Sequence, residues 1–264
     1  MRTEQRKQSY ITIIALFIIA LMMGLWSSGA LTRHSGPKNA SIEITVSDIG
    51  SRVFLDNKRK NTTTKENEVV IFKHLESRVY TVLVASEGHY PWYKAVDLTK
   101  NQEVEFTPFS VATNLTNMTV PSTDPKFQSI KTVIHKDILP TKTGKRRSAN
   151  GNVDIWTELS SNSIHAEWVG NAVSLPNFFC PLGACTNHII IFSGKTPIRS
   201  LDFYKNRDDA VILAIENSIS VLELDISPPQ NFQPIFTGDS PKFHQPESGI
   251  LFIQSGQAIS VVRY

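Results

Sequence analysis

Apolar and polar residues alternate in steps of two along most of this chain, the periodicity of half-buried strands. In Ile42-Glu43-Ile44-Thr45-Val46 the apolar side chains fall on one strand face and the polar ones on the other. The same pattern predicts strands at Val53 to Leu55, Val69 to Phe72, Tyr80 to Val84, Tyr93 to Leu98 and Glu103 to Phe106. Asp56-Asn57 supplies two residues that tolerate positive φ, so a tight hairpin is expected there. These strands make residues 40–111 a compact antiparallel module. Residues 112–150 change character: Asn, Thr, Pro, Lys and Ser dominate, broken by one short apolar alternation near Ile130 to Ile134. A linker, partly extended and contributing one strand, is expected there.

The last part, residues 151–264, repeats itself. Ser200, Phe203, Ile219, Ser220 and Val221 return forty residues later as Ser240, Phe243, Ile259, Ser260 and Val261. Asn162-Ser163-Ile164 matches Asn217-Ser218-Ile219, at a longer offset because a cysteine-bearing loop lies between Gly170 and His188. A period near forty with four short strands per unit predicts propeller blades. Only about three such units fit, whereas closed propellers take about four or more, so open sheet edges must be covered by something else.

One segment breaks the alternation. Tyr10 to Leu31 carries no charge and follows Arg2, Arg6 and Lys7. As a helix it would span about 33 Å, enough for a hydrocarbon core of about 30 Å. The expectation is a transmembrane helix at 10–31, with residues 1–9 cytoplasmic, a linker at 32–39 and everything later extracytoplasmic, from the positive-inside bias. A cleaved secretory signal is the open alternative, because Ser28-Gly29-Ala30 offers small residues for a peptidase.

The succession Ile42 to Val46, Val53-Phe54-Leu55-Asp56, Thr62-Thr63, Leu75, Tyr80-Thr81-Val82 and Gly88-His89-Tyr90-Pro91-Trp92 resembles a PEGA domain, a small extracytoplasmic β-module of bacterial and archaeal surface proteins. Ser47 to Ser51 keeps only the glycine of the motif that names the family, and Asn57 and Asn61 stand where the family usually has glycine. Thr196 to Asp225 and Gln230 to Gly238 resemble a C-terminal block of predicted surface proteins of uncultured small-genome bacteria. The expected fold is therefore all-β: an N-terminal transmembrane helix, a small antiparallel β-sandwich-like PEGA domain, then a partial β-propeller-like (WD-repeat-like) region.

Charge and chemistry narrow the function. The formal net charge is +3, and the clusters Lys58-Arg59-Lys60 and Lys145-Arg146-Arg147 lie among turn residues and lack interleaved aromatics, so solvated loops are expected there and no nucleic-acid partner. The two cysteines, Cys180 and Cys185, are disulfide candidates in an oxidising compartment. The alternatives are free thiols, or a metal site using His188, which lacks a fourth ligand. Ser193-Gly194-Lys195-Thr196 has the end of a phosphate loop, but Ile189 occupies the first glycine position and a hairpin turn is expected instead. His165 and His188 read as structural, and Asp202, Asp208, Asp209 and Asp225 form no recognisable catalytic pair. Tyr90, Trp92 and Tyr93 are the binding-surface candidates, since exposed aromatics hold sugars and partner proteins.

The expected protein is non-enzymatic, with no cofactor, metal or catalytic residue. It is a single-pass plasma-membrane protein whose outer β surfaces bind wall polymer, a surface layer or envelope proteins, with oligomers open. Sensor or assembly subunit, and glycan-processing hydrolase, are the alternatives.

Overall fold

The computed structural model describes residues 40–98, 103–171, 175–180 and 184–264. Five sheets account for its strands. The first two form a sandwich. One holds β1 (Ala40–Val46) between β4 (Glu68–Leu75) and β7 (Glu103–Phe106). The other runs β3 (Lys58–Thr62), β2 (Arg52–Leu55), β5 (Val79–Ala85), β6 (Trp92–Asp97). Every second residue of β1 is buried, Ile42 and Ile44 completely, as the alternation requires. Asp56 and Asn57 take φ of 48° and 62°, and Leu55 pairs with Lys58, so they form the two-residue hairpin.

Two features depart from expectation. β7 pairs with β1 in parallel, so that sheet is mixed and the module is not purely antiparallel. Lys58-Arg59-Lys60 is not a loop: it belongs to β3, an edge strand whose cations discourage further pairing.

The remaining three sheets are four-stranded antiparallel blades. Blade one is β9 (Arg146–Arg147), β10 (Val153–Glu158), β11 (Ser163–Trp168) and β12 (His188–Ser193). Blade two is β13 (Ile198–Phe203), β14 (Ala210–Ile215), β15 (Ser218–Glu223) and β16 (Phe232–Thr237). Blade three is β17 (Lys242–Glu247), β18 (Ile250–Ser255), β19 (Ala258–Arg263) and, on its outer side, β8 (Thr116–Val120). The last blade is thus completed by a strand that precedes the first, which ties the two ends of the repeat region together. The fold is propeller-like in this sense.

The repeat of forty holds for β14 with β18 and for β15 with β19. It fails for the inner strands. Phe243 pairs with Ile253 as Leu201 pairs with Leu213, so Phe243 is the counterpart of Leu201 and not of Phe203. Blades one and two share a different device: Gly194 N–H donates to Asn162 O at 3.0 Å, and Gly238 N–H to Asn217 O at 2.9 Å. Ser193-Gly194-Lys195-Thr196 therefore joins two blades and is not a hairpin turn.

Blade two is the middle layer. Val211 and Leu213 pack with Val153, Ile155, Ile164 and Ala166 of blade one. Ala210, Ile212 and Ala214 pack in a core that includes Phe243, Leu251 and Ile253 of blade three and Ile42, Val82 and Trp92 of the sandwich. All six residues of β14 are buried, which explains its unbroken apolar run.

The stretch 112–150 is more than a linker. Besides β8 and β9 it holds α1 (Lys126–Lys136), where a strand was expected near Ile130 to Ile134. Phe127, Ile130 and Ile134 sit at helical spacing and pack on Val120, Phe252, Ile259 and Val261, covering blade three. The fold expectation is also corrected at its N-terminal element. Among the described residues no helix is long and apolar enough to cross a membrane, and residues 10–31 lie outside them.

The cover predicts a contrast within one turn of α1. Ile134→Ala should cost about 2–5 kcal/mol in chemical denaturation, the range for emptying a buried isoleucine site. Val133→Ala, on the half-exposed side, should stay within about 1 kcal/mol. Equal effects would mean that α1 does not cover the blade.

Candidate functional site

The aromatic segment chosen from the sequence lies at the joint between sandwich and blades. Alternation along β6 turns Trp92, Lys94 and Val96 inward and Tyr93 outward. Trp92 is 2% exposed, its ring 5.5 Å from Phe106, and its Nε1–H donates to Glu223 Oε1 at 3.3 Å. It is therefore no exposed platform, which corrects that expectation. Tyr90 is half-buried, its N–H bonded to Val111 O at 2.9 Å. Tyr93 is 37% exposed, and Asn231 brackets its backbone: Tyr93 N–H donates to Asn231 Oδ1 at 3.1 Å and Asn231 Nδ2 to Tyr93 O at 3.0 Å. A cavity of about 10 Å³ beside Tyr90 and Trp92 has room for about one water.

The joint is clasped by charges the sequence reading missed. Lys94 Nζ lies 3.0 Å from both Glu223 Oε2 and Asp225 Oδ2, and its side chain is 1% exposed. Burial pushes the Glu223 carboxyl above its usual range, while Lys94 and the Asn231 amide pull it back. The signal was present as charged residues at inward positions of otherwise apolar strands, but the partners are 129 and 131 residues apart.

Cys180 and Cys185 are joined in a disulfide. It follows a 3-10 turn at Asn177–Phe179, whose Phe179 is fully buried against Trp168 at 6.1 Å. The loop is thus pinned to the core of blades one and two.

Where the inner strands converge, a second polar cluster forms. Arg146 Nη1 donates to Asp202 Oδ2 at 2.8 Å and Nη2 to Asp137 Oδ1 at 2.7 Å, and His244 Nδ1 lies 2.8 Å from Asp137 Oδ2. Burial pushes the Asp202 carboxyl upward against the pull of Arg146. Asp209 instead pairs with Arg207 and Asp225 with Lys94, so Asp202, Asp209 and Asp225 sit in three separate ion pairs, while Asp208 accepts from Asn150 Nδ2.

The outward face of blade one brings together residues that were singled out separately. Trp156 on β10 pairs across the sheet with His165 on β11, and the ring centroids of Trp156 lie 5.2 Å from His165 and 5.3 Å from His188. Lys145 Nζ sits 4.5 Å from the indole centroid and also pairs with Glu167. His165 titrates below its ordinary value because of burial and then the neighbouring His188. A further exposed group flanks this face on the outer strands: Ile190 is 49% exposed, Phe232 is 47% exposed, and the Phe192 and Phe232 rings are 6.4 Å apart. Phe232 follows Asn231 directly, but it pairs with Leu222 and its ring lies by Phe192, so it faces blade one, while the next residue, Gln233, donates to Pro91 O of the sandwich at 3.1 Å.

No protein-family model matches the chain, and no curated protein is similar to it. Among solved structures, the β-propeller domain of Cps50 (Swd1) from Myceliophteria thermophila is 10% identical, over 79% of this chain and 87% of that one, with a TM-score of 0.29. A putative membrane-associated protein of unknown function from Bacteroides fragilis is 11% identical, over 87% of this chain and 99% of that one, with a TM-score of 0.21. At such scores neither superposition carries weight, and the propeller-like description rests on the blades themselves.

The buried clasp yields a pH-dependent prediction. Lys94→Met strands two carboxylates and should cost about 3–5 kcal/mol near neutral pH. A carboxyl whose folded pKa is raised binds more protons folded than unfolded, so acidification through that window relieves the strain. Removing Lys94 takes away the charge that opposes the rise, so the deficit measured by denaturant titration should shrink as pH falls from about 7 to about 5. A deficit independent of pH would show that Glu223 is not its source.

Proposed function

We propose that this chain is an extracytoplasmic scaffold of the bacterial cell envelope, in which a PEGA-like sandwich and propeller-like blades form one surface for wall polymer, a surface layer or an envelope protein. The observation that carries this reading is the Asn231 bridge at the joint, with one exposed aromatic residue from each module next to it. Tyr93 from the sandwich and Phe232 from blade two are that pair, and the Asn231 side chain bridges the modules. Large exposed apolar residues held on rigid strands suit recognition, since little conformational entropy is lost when they are covered. The Cys180–Cys185 disulfide suits an oxidising compartment. The protein works at the plasma membrane's outer side, where closeness to the wall lets weak contacts suffice.

The full-length chain should co-sediment with isolated envelope fractions, and the double variant Tyr93→Ser/Phe232→Ser should lose most of that retention while unfolding at the same temperature. Retention no better than that of an unrelated carrier, or undiminished in the double variant, would remove this reading.

A further inference from the structure

The buried clasp at the joint has the parts of a condensation site. Lys94 carries a primary amine on a side chain only 1% exposed, and Asp225 Oδ2 lies 3.0 Å from its Nζ. Asp225 Cγ is one carbon–oxygen bond, about 1.2 Å, beyond Oδ2, so the carbon is at most about 4.2 Å from the nitrogen. Rotation at the tip of the flexible lysine stem covers the rest of the way to the separation of about 3–3.5 Å from which bonds form. The other carboxylate oxygen, Oδ1, accepts the Ser227 N–H at 2.9 Å, so a donor already points at the atom where negative charge collects during attack. Glu223 Oε2 stands 3.0 Å from the same Nζ. It is fixed there by Asn231 Nδ2 at 2.9 Å, while Trp92 Nε1–H holds Oε1 at 3.3 Å. Burial pushes the Glu223 carboxyl above its ordinary range, which suits a group that takes a proton and gives it back.

We propose that Lys94 and Asp225 condense into an intramolecular isopeptide bond, with Glu223 moving the proton, so that the sandwich and blade two become covalently joined. The ion pair is the state before reaction. The ammonium passes one proton to Asp225 Oδ2, which leaves an amine beside a neutral acid; the side chains are 1% and 12% exposed, so little water favours the charged forms. Nζ then attacks Cγ, and an electron pair of the C=O bond moves to Oδ1 under the Ser227 N–H. Glu223 removes a proton from the now cationic nitrogen and delivers it to Oδ2, which leaves as water while the C=O bond reforms at Oδ1. One C–N bond forms, one C–O bond breaks, one water departs, and Glu223 ends as it began. The balance needs no oxidant, reductant or co-reactant.

In water, an amine and a carboxylic acid stay apart because they are dilute and their ions are well hydrated. Neither restraint holds here. Groups fixed in attacking geometry react at an effective concentration of about 10⁵–10⁸ M. Exchanging a buried ion pair for a neutral amide also removes the desolvation penalty of the two charges. Trp92 and Asn231 anchor both Glu223 oxygens, which keeps that carboxyl in place as the proton carrier and leaves Asp225 as the acyl partner. The two linked residues are 131 positions apart, so one bond holds the modules together even after their other contacts have opened. The link concerns the joint alone, and its failure would leave the envelope reading untouched.

The test is mass spectrometry of the purified full-length chain after reduction of the Cys180–Cys185 disulfide. The intact mass should fall short of the sequence mass by one water, and Lys94→Arg and Asp225→Ala should each restore it in full. Proteolytic mapping should recover the peptide that carries Lys94 joined to the peptide that carries Asp225, lighter than their sum by the same water. Glu223→Gln, which keeps the size of the side chain, should slow linking at least about a hundredfold with an unchanged circular dichroism spectrum. A wild-type chain of full sequence mass, its two peptides recovered only separately after prolonged incubation at neutral pH, would overturn the proposal whether or not the variants fold. So would a missing water that persists in Lys94→Arg, which places the dehydration elsewhere, or a folded Glu223→Gln chain that links as fast as the wild type.

Discussion

The three blades among the described residues are too few to close a ring, and every sheet face left open must be buried or made polar. That constraint organises this molecule. Blade two solves it by lying between neighbours, with β14 buried on both faces. Blade three is covered by α1 and completed by β8. Blade one answers differently: its outward face carries the ion pairs Lys145–Glu167 and Arg147–Asp154 and the Trp156, His165, His188 group. The Lys145 ammonium over the indole and the stacked rings of His165 and His188 leave Trp156 5% exposed, so an aromatic face is shielded without another layer.

The strands were legible because their alternation is a local consequence of the pleat, and the Asp56-Asn57 turn because positive φ restricts residue choice. What escaped were elements whose identity depends on partners. In α1, apolar residues at 127, 130 and 134 mark one helical face, but within Ile130 to Ile134 alone they mimic a strand. β8 reads Thr-Asn-Met-Thr-Val and is mostly exposed, so only its pairing with β19 makes it a strand. The parallel match of β7 to β1 leaves no local trace at all, since parallel and antiparallel edges share one periodicity.

The candidate site was legible as residue types and not as geometry. Trp92 and Tyr93 were rightly paired as neighbours, yet strand alternation sends one inward and the other outward, so they cannot share a surface. His165 and His188 stood apart in sequence because the cysteine loop separates them. The β-bulge between Ile164 and His165 and the register that sets Glu167 against His188 bring them to one face.

The joint shows why charge was used where apolar packing would serve as well for stability. Burying Lys94 with Glu223 and Asp225 costs desolvation that their attraction roughly repays, so the clasp adds little over a hydrophobic contact. An apolar contact, however, tolerates sliding of one module over the other. Lys94 must instead face Glu223 Oε2, Asp225 Oδ2 and the Asp225 carbonyl at 3.0, 3.0 and 3.2 Å together, while Trp92 Nε1–H reaches the other Glu223 oxygen. A displaced sandwich would leave a buried ammonium unpaired. On the proposed reading that penalty has a functional consequence, because the exposed Tyr93 of the sandwich and Phe232 of blade two keep a fixed relative placement in this docking geometry alone.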